Sequence, residues 1–181
     1  MITTNNAALA ERLRLLRNLG FTTPRFRHEV AGYNFRMTAY QAAMGVVQVK
    51  KLDDVVKAKR RMAARYHHVL GGIEGLQRPV EANWGRHVYW MYGVIIGPDF
   101  GMTRDELAKR LSQKGIETRT FFCPMNAQPC FKELPGFRDV QTPVADMLWR
   151  SGFYLPSSHT LPDDQIDYIA RTIAEIQREG A

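Results

Sequence analysis

The stretch from Thr38 to Leu70 contains no proline and constrains the fold of this chain more than any other feature. Thr38 and Gln41 have the T-x-x-Q spacing of a capping box, in which each side chain bonds to the backbone amide of the other residue. Gly71 and Gly72 follow the stretch and provide a helix stop signal. The sequence therefore predicts one helix from Thr38 to Leu70, about 50 Å long at ~1.5 Å per residue.

The two halves of this predicted helix have different surfaces. The first half contains AAMGVVQV and is apolar on almost all sides. The second half keeps its apolar residues on one side, with basic residues around the rest; the apolar residues are Leu52, Val55, Val56, Met62, Tyr66 and Leu70. The helix is expected to start buried on most sides and to end with one side in water. That arrangement is unusual for a lone domain of 181 residues.

The remaining pattern predicts an α/β protein. HVYWMYGVII and IETRTFF are rich in aromatic and β-branched residues and favour strands. Helices are expected after caps at Asn5 or Asn6, Thr103, Thr142 and Thr160. The expected order is β-α-loop-long α-β-α-β-α-α. The predicted fold is an α/β sandwich, with a small mixed sheet flanked by helices and entered through the long connecting helix.

Composition limits the classes of function. No window has the eighteen or so apolar residues of a membrane span, and no basic region precedes an apolar core at the N-terminus. We therefore expect a cytoplasmic protein that does not cross a membrane. Cys123 and Cys130 are too far apart for a usual zinc pair, and the histidines do not cluster, so no metal site is expected. The 25 basic and 18 acidic residues give +7, which fits nucleic acid, a phosphorylated ligand or a solvated surface.

The segment GYNFRM, directly before the helix start at Thr38, has the chemistry of a phosphate site. Gly32 permits a sharp turn, Asn34 brings an amide donor, and Arg36 brings a cationic fork. The free amides of a helix N-terminus also favour an anion. In the alternative interpretation Asn34 satisfies its own turn and Arg36 pairs with a nearby acid. Spacing alone favours that structural interpretation.

Other candidate residues are weaker. Arg119 and His159 lie in or beside loops that follow predicted elements, where α/β folds tend to hold ligands. The basic run KKLDDVVKAKRRMAARYHH could bind nucleic acid, but such spacing is more typical of the wet face of a packed helix. The chain has no G-x-S-x-G, P-loop, HExxH or G-x-G-x-x-G motif. The motifs alone indicate only a ligand-contacting α/β chain.

Longer segments of the chain resemble the DegT/StrS-type family of aminotransferases, which use pyridoxal 5'-phosphate (PLP) and act on nucleotide-linked keto-sugars. The segments that carry the resemblance are NNAALAERLRLLRNLGF, HEVAGYNFRMTAYQAAMGVVQVKKLDDVVKAKRRMAARY, HVYWMYGVII, KGIETRTFFCPM and YLPSSHTL. They span nearly the whole chain in the family's order. VYWMYG and IETR-FF-P are most similar to the perosamine synthase branch, which aminates a GDP-linked 4-keto-6-deoxymannose.

The resemblance implies the C-terminal part of a fold-type I PLP-dependent aminotransferase. Residues 1–37 would end the large cofactor-binding domain, residues 38–70 would form the long connecting helix, and residues 71–181 would form a small C-terminal domain. Such enzymes are homodimers with shared active sites, take the amino group from a donor such as glutamate, and bind no nucleic acid.

The resemblance also assigns site residues. Asn34 would touch the PLP phosphate of the neighbouring subunit, with Arg36 close to the same cofactor and to substrate phosphates. The sugar-nucleotide side would be lined by Tyr33, Arg119, Phe122, Pro124, Asn126 and His159. Two of these depart from the family pattern. Asn126 stands where a histidine is common in P-x-H-x-Q-P, and His159 stands where an apolar residue is common.

One expected residue is missing from the chain. Family members are about twice as long, and none of the lysines here has the context of the Schiff-base lysine that PLP transamination requires. The chain by itself is therefore expected to have no catalytic residue and no activity. The alternative is a non-catalytic module that binds a sugar nucleotide or mediates dimerisation. A basic nucleic-acid-binding domain is a lesser alternative.

Overall fold

The structure is a computed structural model that describes residues 1–24, 26–131, 134–137 and 139–180. Lys132, one of the lysines considered above, lies outside the described residues. The chain forms two compact units, Met1–Lys51 and Leu52–Ala181. The three-part division into residues 1–37, 38–70 and 71–181 remains a prediction about the complete enzyme.

The first unit contains two helices, α1 (Ala7–Arg17) and α2 (Ala39–Lys50). Asn6 caps α1, since its side chain accepts from the Leu9 amide at 3.0 Å. The predicted capping box at the start of α2 is confirmed. The Thr38 hydroxyl accepts from the Gln41 amide at 3.2 Å, and the Gln41 side chain accepts from the Thr38 amide at 3.0 Å.

The predicted single helix from Thr38 to Leu70 is wrong, because the structure divides it at Lys51 into α2 and α3 (Leu52–Val69). The Lys51 amide donates to the Gln48 carbonyl, three residues back, at 3.1 Å, so the regular four-residue ladder stops there. Asp53 and Asp54 then lie in the first turn of α3, where the helix dipole favours negative charge.

The first half of the predicted helix is not buried. No residue of α2 is buried, and its apolar side chains Met44, Val46, Val47 and Val49 are 49–70% exposed. The sequence pattern correctly identified a helix that is apolar on almost all sides, but its apolar side chains are exposed.

The second unit is built on a four-stranded sheet in the order β1-β2-β4-β3. Its elements are α3, β1 (Leu76–Gln77), β2 (Tyr92–Ile96), a 3-10 helix (Pro98–Phe100), α4 (Arg104–Gln113), β3 (Arg119–Thr120), a 3-10 helix (Met125–Ala127), α5 (Pro143–Ser151), β4 (Gly152–Leu155) and α6 (Asp163–Gly180). All three strand pairs are antiparallel.

The prediction of a mixed sheet is thus wrong, because each pair of neighbouring strands in this sheet is antiparallel. β2 and β3 are linked through α4, and they would pair in parallel if they were neighbours. β4 lies between them and is antiparallel to both. The sequence interpretation missed β4 (Gly152–Leu155), because the expected order has no strand between the last two helices. The strand predicted from HVYWMYGVII is shorter, since β2 begins only at Tyr92 and Tyr89 has a φ of +49°.

The core lies between one face of the sheet and helices α3, α4 and α6. The inner face contributes Tyr92, Val94, Ile96, Phe153 and Leu155, and the helices contribute Met62, Tyr66, Leu107, Leu111, Ile166 and Ile173. The apolar side of α3 is therefore buried as predicted from Met62 to Leu70, whereas Leu52 is 55% exposed.

The basic residues of α3 bond mainly within the unit. Arg65 donates to both carboxylate oxygens of Asp167 on α6, at 2.7 and 2.5 Å, and Arg61 donates to Asp163 at 2.9 Å. These contacts support the interpretation of the basic run as the wet face of a packed helix.

Candidate functional site

The loop that carries Asn34 is fixed to the C-terminal end of α1. The Tyr33 amide donates to the Leu16 carbonyl at 2.6 Å, and the Phe35 amide donates to the Arg17 carbonyl at 3.1 Å. The Leu19 amide donates back to the Tyr33 carbonyl at 2.9 Å. The last carbonyls of a helix have no partner within the helix, so the loop satisfies groups that would otherwise need water.

Gly32 lets the loop approach α1 closely. A Cβ at this position would lie 2.1 Å from the Gly20 nitrogen and 2.4 Å from the Leu19 carbonyl carbon. The sequence interpretation gave conformational freedom as the reason for this glycine, which is wrong, because Gly32 is not among the residues with positive φ. The position needs glycine for lack of space.

Asn34 and Arg36 form a pair at the exposed surface of this loop. Arg36 Nε donates to Asn34 Oδ1 at 3.0 Å, and Arg36 Nη1 donates to Asn18 Oδ1 at 3.4 Å. Within the described ranges Arg36 has no carboxylate partner, so the acid pairing considered for it is absent. The Asn34 oxygen is occupied by Arg36, which leaves its amide N–H groups as donors beside an uncompensated positive charge.

An aromatic pair adjoins this donor pair. The Tyr33 and Phe35 rings are stacked with centroids 5.3 Å apart, and their side chains are 58% and 71% exposed. Tyr33, Asn34 and Arg36 therefore share one exposed loop in which the backbone is fixed and the side chains face outward from their own unit.

In the second unit, Arg119 and His159 lie toward the end of the sheet where β4 finishes. Arg119 pairs with Tyr154 near the end of β4, and His159 follows in the next turn. Both are exposed. This turn is closed by the Leu161 amide, which donates to the Ser158 carbonyl at 3.2 Å. Thr160 does not cap α6, which starts at Asp163.

Phe122, Pro124 and Asn126 follow the other end of β3, beside the start of β4. Phe122 is 68% exposed, and Pro124 precedes the 3-10 turn Met125–Ala127. The Asn126 amide is already engaged, because Nδ2 donates to the Val140 carbonyl at 2.9 Å and Oδ1 accepts from the Thr142 hydroxyl at 3.2 Å. Thr142 precedes α5 but makes no side-chain cap hydrogen bond to it.

Two glycines that the sequence interpretation missed shape the outer face of the sheet. A Cβ at Gly93 would lie 2.7 Å from the Phe121 ring, and one at Gly152 would lie 2.4 Å from it. Gly152 would also meet the Leu148 carbonyl oxygen at 2.6 Å. The ring of Phe121 therefore lies against both glycines and 4.6 Å from the Tyr154 ring. A glycine within an apolar strand pattern is the signal that could have indicated this close approach.

Arg60 fixes the irregular segment between β1 and β2. Its guanidinium donates to both oxygens of Glu81 at 2.8 and 3.0 Å and to the His87 carbonyl at 2.6 Å. The hydrogen bonds from Arg60, with one from the His87 amide, lower the pKa of the Glu81 carboxyl to about 2. The segment is thus ordered by charge-assisted contacts and presents the exposed side chains of Trp84 and Trp90.

Two kinds of feature are absent from the described part of the chain. No group of three histidine, cysteine or acidic side chains there could hold a metal ion. None of the helices in those ranges combines the length and apolar character needed to cross a bilayer.

Comparison with known proteins places the chain in a family. Residues 1–174 match the DegT/DnrJ/EryC1/StrS aminotransferase family, and the chain belongs to it. It is 34% identical to a GDP-perosamine synthase of Caulobacter vibrioides over 178 residues, which cover 97% of this chain and 47% of that protein. It is 33% identical to a GDP-perosamine synthase of Vibrio cholerae, covering 96% of this chain and 47% of that protein. The chain thus spans about half the length of these curated relatives.

Solved structures show the same fold. PseC of Helicobacter pylori, an aminotransferase involved in the biosynthesis of pseudoaminic acid, superposes with a TM-score of 0.87 at 19% identity, covering 97% of this chain and 48% of that one. DesV of S. venezuelae superposes with a TM-score of 0.81 at 28% identity, covering 97% of this chain and 46% of that one. The expected fold, part of a PLP-dependent aminotransferase, is confirmed.

Proposed function

We propose that this chain supplies cofactor- and substrate-binding residues to an aminotransferase that moves an amino group, from glutamate, to a keto-sugar nucleotide such as GDP-4-keto-6-deoxymannose. The observation that carries the proposal is the exposed Asn34–Arg36 pair, which has unused N–H donors on both side chains and a charge with no acidic partner in the described residues. The family match gives the class of reaction, and the identity to two GDP-perosamine synthases supports the nucleotide and sugar.

The residues of the loop fit the phosphate of PLP. Asn34 has amide donors left for an anion, and two of the five N–H donors of Arg36 are used within the unit, by Asn34 and Asn18. A cationic fork beside an amide is well suited to a phosphate. PLP, when bound, supplies the electron sink for the transfer. In this proposal Asn34 and Arg36 hold and orient the phosphate end of the cofactor.

We propose that the complete enzyme is a homodimer in which this loop serves the partner's cofactor. The exposed apolar residues of α2, directly after the loop, support a contact with protein outside these residues, since single apolar residues are often exposed but a run of them marks an interaction surface. Arg119 and His159 would bind the anionic part of the sugar nucleotide. Tyr33, Phe122 and Pro124 would contact the sugar nucleotide. Asn126 would act mainly by fixing its loop through its hydrogen bonds to Val140 and Thr142.

We further propose that no lysine of this chain forms the Schiff base with PLP, so the 181 residues alone are inactive. Purified chain is incubated with equimolar PLP, reduced with borohydride and analysed by mass spectrometry after digestion. The expected result is no stoichiometric pyridoxyl group on any lysine. One lysine modified to completion would contradict the proposal. Stoichiometric binding of a GDP-sugar by a complete enzyme that shows no amino transfer would instead favour the non-catalytic module.

A further inference from the structure

Lys59 is a buried amine whose partners are backbone carbonyls. It lies on α3 and is only 8% exposed, although it belongs to the basic run that otherwise faces water. Its Nζ donates to the Trp90 carbonyl at 3.2 Å and also to the Ser157 carbonyl. No carboxylate forms an ion pair with it in the described ranges. Burial lowers the pKa of Lys59, as expected for an ammonium removed from water without an anion.

The two carbonyls belong to segments that leave the sheet at the same end. Trp90 precedes β2, and Ser157 follows β4, which is the neighbouring strand. The Ser157 hydroxyl accepts from the Tyr92 amide at 2.8 Å and donates to the Leu155 carbonyl at 2.6 Å. One ammonium and one hydroxyl therefore join the beginning of β2 to the end of β4.

A second side chain of α3 holds the same segment. The Tyr66 hydroxyl donates to the Pro156 carbonyl at 2.9 Å. Burial raises the pKa of Tyr66, so its hydroxyl remains a protonated donor at neutral pH. Consecutive carbonyls, those of Pro156 and Ser157, are thus bound by side chains from one helix, directly before the turn that contains His159.

We propose that Lys59 is a positioning residue for sugar-nucleotide binding, because it fixes Trp90 and the turn of residues 158–161 as one binding edge. Trp90 is 68% exposed, and Ser158 and His159 are exposed, so the anchored backbone presents an indole face, a hydroxyl and an imidazole outward. Such groups can stack on and hydrogen-bond to a sugar nucleotide. This inference rests on the proposed function, since the ligand it names is the proposed substrate.

The hydrogen bonds to the Trp90 and Ser157 carbonyls partly offset the cost of burying the Lys59 ammonium. An unpaired buried ammonium is costly, and two carbonyl acceptors recover only part of the lost hydration. The position is therefore expected to matter more for local geometry than for global stability.

The first part of the test does not depend on enzyme activity. Lys59→Met keeps a long unbranched side chain and removes the ammonium, and Lys57→Met, at an exposed lysine of the same helix, is the matched control. Amide hydrogen exchange is compared at Tyr92 and Leu161, which bond to Ser157 and Ser158, and at Val94 within β2. In Lys59→Met, exchange at Tyr92 and Leu161 is expected to accelerate about tenfold or more, with Val94 unchanged.

The second part uses the complete enzyme with GDP-4-keto-6-deoxymannose and glutamate. Lys59→Met is expected to raise the KM for the sugar nucleotide about tenfold, with kcat and the KM for glutamate changed by less than about twofold. Lys57→Met is expected to change none of them.

Several results would overturn the inference. Unchanged exchange at Tyr92 and Leu161 would show that Lys59 does not anchor the edge. Faster exchange at Val94 as well, with kcat and both KM values altered together, would show a general structural role. If the wild-type enzyme does not turn over the sugar nucleotide, the proposed function fails and this inference falls with it; that failure is recognised in the wild type, before any variant is compared.

Discussion

Replacing Asn34 with alanine is expected to weaken PLP binding by the complete enzyme about ten- to a hundredfold. This corresponds to the loss of one hydrogen bond to a charged group, about 1.5–3 kcal/mol. The backbone of the loop should keep its place, because it is held to the end of α1 by backbone hydrogen bonds that do not involve the Asn34 side chain. Apoenzyme titrated with PLP gives the dissociation constant. Asn5→Ala, at another exposed asparagine of the same unit, is the matched control.

Asn34→Asp separates the phosphate role from the structural interpretation. If Asn34 only satisfies Arg36, aspartate is the better acceptor for the guanidinium, and binding of PLP should be unchanged. If Asn34 donates to a phosphate, aspartate puts a negative charge against it and removes the donors, so the affinity should fall further than in Asn34→Ala. An affinity for PLP in Asn34→Asp equal to that of the Asn5→Ala control would contradict the proposed role.

Gly152→Ala is expected to lower the free energy of unfolding of the chain by about 2–3 kcal/mol. The added Cβ would lie 2.6 Å from the backbone oxygen of Leu148, which cannot move without distorting α5, and 2.4 Å from the Phe121 ring. Gly93→Ala should cost less, because its nearest atoms belong to the same ring, which can shift. Urea unfolding monitored by circular dichroism gives both values.

The control for these variants is Gly85→Ala, in the same unit. A Cβ at Gly85 would have no neighbour closer than 4.0 Å, and its φ is not positive. Its free energy of unfolding is expected to stay within about 0.5 kcal/mol of the wild-type value. If Gly152→Ala unfolds at the same urea concentration as Gly85→Ala, the close packing assigned to Phe121 is wrong.

Local signals in the sequence predicted local structure well. The caps at Asn6 and Thr38 and the cap at Thr103, whose hydroxyl accepts from the Glu106 amide at 3.2 Å, depend on residues three positions apart and are present. The break at Lys51 has neither glycine nor proline to mark it, so an uninterrupted apolar pattern gave one helix where there are two.

The sheet could be predicted only in part, because its order depends on contacts distant in sequence. β4 contains four residues and is preceded by a helix, so its pattern is too short to separate from a loop. Because β4 lies between β2 and β3, neighbouring strands there pair in antiparallel fashion, whereas the order of elements predicted a mixed sheet. Neither property is visible without the pairing of Val94 with Phe153 and of Thr120 with the same residue.

The residues of the candidate site could likewise be predicted from the sequence only in part. Asn34 and Arg36 were identified from residue type beside a helix start, and the structure adds that they bond to each other. Lys59 could not be identified, because it is one basic residue among many and only its burial distinguishes it. The engaged state of Asn126 also depends on a partner, Thr142, sixteen residues later.

Hybrid dimers of the complete enzyme test most directly whether Asn34 serves the neighbouring subunit. One subunit carries Asn34→Asp, the other lacks the Schiff-base lysine, and differently tagged subunits are co-expressed so that hybrids can be isolated. If Asn34 acts on the partner's cofactor, each hybrid has one site with both native residues, and about half of the wild-type activity is expected. If Asn34 acts within its own subunit, no site is intact, and hybrids no more active than the two parent dimers would contradict the account.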